Sequence, residues 1–76
     1  MQGQVTIRFY EELNDFLPPE KRKRDFHQAL NHPGSVKDFI ENIGVPHTEI
    51  DLILVNGRSV DFSYKVQDGD RISVYP

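Results

Sequence analysis

The 76-residue chain contains no cysteine, and that one absence removes disulfides, thiolate zinc sites and a cysteine nucleophile together. It suits a reducing compartment, and the cytoplasm is the expected location. Long hydrophobic runs are missing too. Nothing approaches the roughly 20 apolar residues that a bilayer crossing requires, and Met1-Gln2-Gly3-Gln4 has neither the basic nor the apolar region of a signal peptide. A soluble chain with no membrane partner is expected. Basic residues are outnumbered: nine Lys and Arg face twelve Asp and Glu, giving a net charge of −3 and a pI near 5.5. This argues against a nucleic-acid binder driven by overall charge. A chain this short hides only about 60% of the surface its unfolded form exposes, so residues 1–76 are expected to form a single domain.

What the chain does contain is clear periodicity. Val5, Ile7 and Phe9 alternate with Thr6, Arg8 and Tyr10, the period of a strand with one buried face. Leu13, Phe16 and Leu17 recur at the spacing of a short helix on the core, with Glu11 and Glu12 near its positive end, and Pro18-Pro19 stops it. Phe26, Gln28 and Leu30 share one face of a thin apolar strand over Asp25–Leu30, which reads as an edge. Asn31-His32-Pro33-Gly34 is turn chemistry. Ser35 then caps a helix, Asp38 completes an approximate capping box, and Val36, Phe39, Ile40 and Ile43 form one apolar stripe. Gly44 supplies the left-handed end, Val45 an apolar contact, and Pro46 the stop.

Ile50–Val55 is a nearly unbroken apolar run, read as a strand with one face in the core and the other covered or available for contact. Asn56-Gly57 marks a tight hairpin into a short return strand, Arg58–Val60. Phe62, Tyr64 and Val66 anchor an irregular stretch. Asp68-Gly69-Asp70 is a turn, and Arg71–Tyr75 alternates again. The order predicts an α+β fold, a mixed sheet of four to five strands with one main helix packed on one face.

Leu54-Val55-Asn56-Gly57, then Val60, Asp68-Gly69-Asp70-Arg71-Ile72 and Val74 resemble the closing half of the ThiS/MoaD branch of the β-grasp (ubiquitin-like) superfamily, and the opening strand and helix agree. Phe9–Pro19, Gly44–Glu49 and Val60–Tyr64 are similar to a bacterial ubiquitin-like domain that precedes a PIN-related ribonuclease domain of the mut-seven C-terminal type. The resemblance implies a β-grasp domain, either the N-terminal domain of a longer polypeptide or a free-standing relative, with a nuclease domain as partner. ThiS, MoaD and ubiquitin act through a tail ending in Gly-Gly, whose freedom of backbone angle lets it thread an activating site. Here the residues are Val74-Tyr75-Pro76. A sulfur carrier lacking its Gly-Gly tail is therefore the alternative to a non-catalytic interaction module.

Three residue groups invite a function. Lys21–Arg24 reads first as a solvated loop guarding an edge, and second as a phosphate-contacting patch for RNA; with no interleaved aromatics it would position a backbone and read no bases. His27, His32 and His47 match no ligand spacing, and the pairs Glu11/Glu12 and Asp68/Asp70 fit helix-end and turn roles, so neither metal, cofactor nor catalysis is expected. The third group is apolar. If the helix covers one sheet face, alternation sends Leu52 and Leu54 to the other, beside Tyr10 and Tyr75, as a candidate protein-docking face.

Overall fold

The computed structural model describes residues 3–76, so the Met1-Gln2 portion of the N-terminal segment lies outside the described residues. Five strands, β1 (Gly3–Phe9), β2 (Phe26–Leu30), β3 (Leu52–Val55), β4 (Arg58–Val60) and β5 (Arg71–Tyr75), form one sheet in the order β2-β1-β5-β3-β4. The central pair, β1 with β5, is parallel, with Ile7 opposite Ile72 and Phe9 opposite Val74. The other neighbours are antiparallel. A single α-helix, α1 (Val36–Ile43), lies on one face. No helix among the described residues is long and apolar enough to cross a membrane.

Alternation decides what each strand buries. Val5, Ile7 and Phe9 from β1, Ile53 and Val55 from β3, and Ile72 and Val74 from β5 enter one core with Val36 and Ile40 of α1. Burial of such side chains contributes about 1.5–3 kcal/mol each before chain entropy is set against it. The helix ends as its sequence dictates. Ser35 Oγ accepts the Asp38 N–H at 3.2 Å, and Gly44 sits at φ 119°, a conformation in which a Cβ is costly. The Val45 N–H returns to the Ile40 carbonyl at 3.4 Å, placing Val45 in the core. Two further orphan donors at the start of α1 are satisfied from a distance: Val36 N–H donates to Tyr64 O at 2.7 Å and Lys37 N–H to Phe62 O at 3.3 Å. The irregular stretch after β4 thus caps the helix.

Four local expectations are corrected. The segment after β1 is a 3-10 turn, Glu11–Phe16, and Leu13, Phe16 and Leu17 do not share one buried face: Leu13 and Leu17 are buried and Phe16 is 43% exposed. Ile50 and Asp51 precede β3, because a short 3-10 turn at His47–Glu49 ends at Ile50. Asp25 likewise precedes β2, and Tyr10 lies just past β1.

Two buried polar side chains fasten the loops. Asn14, 5% exposed, donates to Phe9 O (3.1 Å) and Glu11 O (2.9 Å) and accepts the Lys23 N–H (2.7 Å). Asp70, also 5% exposed, accepts from Asn56 Nδ2 (3.0 Å), Tyr64 Oη (2.8 Å) and Gln67 N (2.8 Å). Asn56 Oδ1 in turn accepts the Arg71 N–H at 2.9 Å, so the tight β3–β4 turn, the Tyr64 loop and the start of β5 share one carboxylate. Asp70→Ala leaves Asn56 Nδ2, Tyr64 Oη and the Gln67 N–H without this partner and is expected to cost about 1–3 kcal/mol. Asp68→Ala, which loses one exposed bond to Gln4 N, is expected to cost less; chemical denaturation of the two variants measures the difference.

Candidate docking face

With α1 on one side, the side chains of alternate parity meet on the other. Register sets their neighbours: Arg8 lies opposite Ser73, Ser73 opposite Leu54, and Leu54 opposite Ser59, while Leu52 lies opposite Tyr75. Tyr10 is held at the end of this row by its N–H, which donates to Val74 O at 3.0 Å. Its ring stacks on Tyr75 with centroids 4.4 Å apart and planes 11° from parallel. The Arg8 guanidinium carbon sits 5.1 Å from the centre of the Tyr10 ring, within cation–π range. The Arg8 Nε is buried and has no hydrogen-bond partner among the described residues.

Tyr10, Tyr75, Leu52 and Leu54 are therefore brought together at one end of the open face. Leu52 is 39% exposed and the other three are half-buried. The open-face positions of the strands carry no carboxylate, and Arg71 on the same face is paired with Asp25. Arg8 was not singled out in the sequence; its position two residues before Tyr10, on a strand whose odd residues are apolar, was the available signal.

The other candidates are placed differently. The 3-10 turn Pro19–Lys21 leads Lys21 back over Phe26, its Nζ 5.2 Å from the ring centre, and Arg22 Nε donates to Leu17 O at 2.8 Å. Lys23, at φ 57°, and Arg24 are exposed. The run is thus divided: two of its side chains are occupied by their own chain and two face solvent. His27 touches Thr6 Oγ1 at 3.3 Å, and His47 pairs with Glu41 and meets Phe62 edge-on. That hydrogen bond holds the Glu41 carboxyl below the usual carboxylate value. No three His, Asp or Glu side chains cluster as a cation site among the described residues.

A mixed sheet with one helix across it, capped by the long loop before the last strand, is the β-grasp architecture, and the chain has a ubiquitin-like fold. Two solved structures share it: a putative molybdopterin converting factor, subunit 1, from Pyrococcus furiosus (TM-score 0.70, 21% identity, 97% of both chains covered) and H. volcanii small archaeal modifier protein 1 (TM-score 0.70, 13% identity, 97% of both covered). No curated protein matches the sequence. The family described as Mut7-C ubiquitin matches residues 2–76, and the chain belongs to it.

The stack leaves a titration signature. Partial burial, then the neighbouring Tyr10, push the Tyr75 phenol above its ordinary value of 10.0, against weaker pulls from Ser73 and Arg8. Tyr64 is raised by burial and by its bond to the Asp70 carboxylate. The folded chain holds both protons more tightly than the unfolded chain, so this stabilisation is intact below pH 10 and is lost as pH climbs through the raised values. Phenolate absorbance is expected to show Tyr64 and Tyr75 ionising above the ordinary value of 10.0. Tyr10→Leu should move Tyr75 back toward 10, and a Tyr75 titration that this substitution leaves unchanged would contradict the stack.

Proposed function

We propose that this chain is a non-catalytic docking module that binds a protein partner through the Tyr10, Tyr75, Leu52 and Leu54 end of its open sheet face. The observation that carries this reading is the convergence of four side chains, distant in sequence, into one apolar patch flanked by Arg8. Tyrosine and arginine are the residues that dominate interface energetics, and charged carboxylates are depleted from interface centres. The stacked, half-buried rings lose little conformational freedom on contact, which favours tight binding for the area covered. Of the paired carboxylates, Asp68 and Asp70 have other duties: Asp70 receives three donors and Asp68 one. The partner is a PIN-related ribonuclease domain, in the same polypeptide or a separate one, an expectation that rests on the family resemblance.

Titrating the isotopically labelled chain with such a domain tests this. Amide shifts are expected at Arg8, Leu52, Leu54, Ser73 and Tyr75, and Leu52→Asp and Tyr75→Ala should each weaken binding at least about tenfold. Leu52 is exposed, so its replacement should leave the unfolding midpoint in place. Shifts confined to α1, or affinity indifferent to both substitutions, would sink the proposal.

A further inference from the structure

The sheet has two edges, and they are protected unequally. Edge strands are normally blunted by shortness, lysine, proline or a bulge, because unpaired N–H and C=O groups invite another strand. β4, at one edge, is three residues long and begins with Arg58. β2, at the other, is Phe26-His27-Gln28-Ala29-Leu30, five residues with no lysine or proline of its own. Of the basic run just before it, Lys21 lies on the helix side of the strand, over Phe26 and 3.5 Å from Gln28 Oε1, and Arg22 turns back onto Leu17; neither bonds the His27 or Ala29 backbone among the described residues.

The register shows which groups are free. Thr6 and Tyr10 donate to Asp70 and Val74, and Gln4 accepts from Gly69, so the even residues of β1 bond to the β5 side. Gly3, Val5 and Ile7 therefore bond to β2, through their partners Leu30, Gln28 and Phe26. In an antiparallel pair this alternation leaves the N–H and C=O of His27 and Ala29 pointing outward. Beside this edge runs a groove between β2 and α1, walled by Leu30, Pro33 and Phe39, with Asp38 and Glu41 on its helical side and no Lys or Arg in its lining.

We propose that a second copy of this chain pairs with the open edge of β2, antiparallel about a twofold axis at Gln28. In this register His27 meets Ala29 of the second copy and Ala29 its His27, so each free pair of donor and acceptor finds its complement. Phe26 of the second copy falls opposite Leu30, on the helix side of the sheet, and extends the apolar wall of the groove. Arg24, two residues earlier and of the same parity, falls opposite His32 and reaches the Asp38 side of the groove. The basic segment lies just before β2 and the acidic wall just past it, so antiparallel pairing brings unlike charges together twice, once at each end of the isologous contact. The two five-stranded sheets become one of ten strands, with both open faces on the same side, and a bivalent partner gains effective concentration from the pairing. One strand pair buries less than the roughly 1,200 Å² of a standard interface, so the dimer is weak and forms at high concentration.

Sedimentation equilibrium from low micromolar to millimolar chain tests this. The weight-average mass should climb from 8.8 kDa toward twice that, with concentration-dependent amide shifts centred on His27 and Ala29. Ala29→Pro deletes an outward N–H, leaves the Gln28 bonds to β1 in place, and should hold the mass at the monomer value. Arg24→Glu and Asp38→Arg should each weaken association severalfold, and the two together should restore it, a result independent of whether the proline variant folds. A monomer mass at millimolar concentration overturns the proposal. So do shifts centred on Leu52 and Tyr75, or charge reversals that fail to rescue each other.

Discussion

The parallel pairing of β1 with β5 at the middle of the sheet is the contact on which the rest of this small domain depends. Without it the chain is two hairpin-like halves, β1–β2 and β3–β4, each of a kind that is marginal alone in water. Once β1 and β5 meet, Ile7, Phe9, Ile72 and Val74 form the floor onto which Val36 and Ile40 close. Such a contact between the first and last strands is expensive in loop entropy, and no disulfide shares the cost. Much of the holding falls to Asp70, which binds the β3–β4 turn and the Tyr64 loop at the point where β5 begins. The same loop caps α1 through the Tyr64 and Phe62 carbonyls, so sheet, turn and helix are tied through a few residues.

The proposed docking surface follows from this arrangement and is not an addition to it. One helix covers one face; the pleat then delivers every other side chain to the uncovered face. The uncovered apolar residues fall together at one end of that face. β5 aligns Tyr75 with Leu52 on one side, and the residue after β1, Tyr10, stacks on it from the other. Arg8 extends the stack with a cation. The patch and the free edge of β2 lie on different parts of the sheet, so docking on the face and pairing at the edge do not compete.

Much of this was legible in the sequence, for identifiable reasons. Ser35, the Val36–Ile43 stripe and Gly44 state a helix completely, because cap, periodicity and left-handed terminus all agree. Asn56-Gly57 states a tight turn, and Leu52–Val55, apolar at four successive positions, had to point both ways. The convergence of Tyr10, Tyr75, Leu52 and Leu54 was legible only as far as alternation allowed; the stacking depended on strand order. The fate of Phe16 was not readable, since the Leu13, Phe16, Leu17 spacing fits one α-helical face and the chain forms a 3-10 turn there with Phe16 exposed. Nor were the roles of Asn14 and Asp70, whose partners lie up to 14 residues away and come into reach only in the folded chain.

The most direct measurement of the docking claim is site-specific photo-crosslinking in the natural host, with a photoreactive residue in place of Leu52 and, as a control, in place of Ser63 on the loop beside the helix. Adducts are expected from Leu52 alone, with the crosslinked peptide mapping to a ribonuclease domain. No adduct at Leu52, or equal yields at the two positions, would contradict a docking role for the open face.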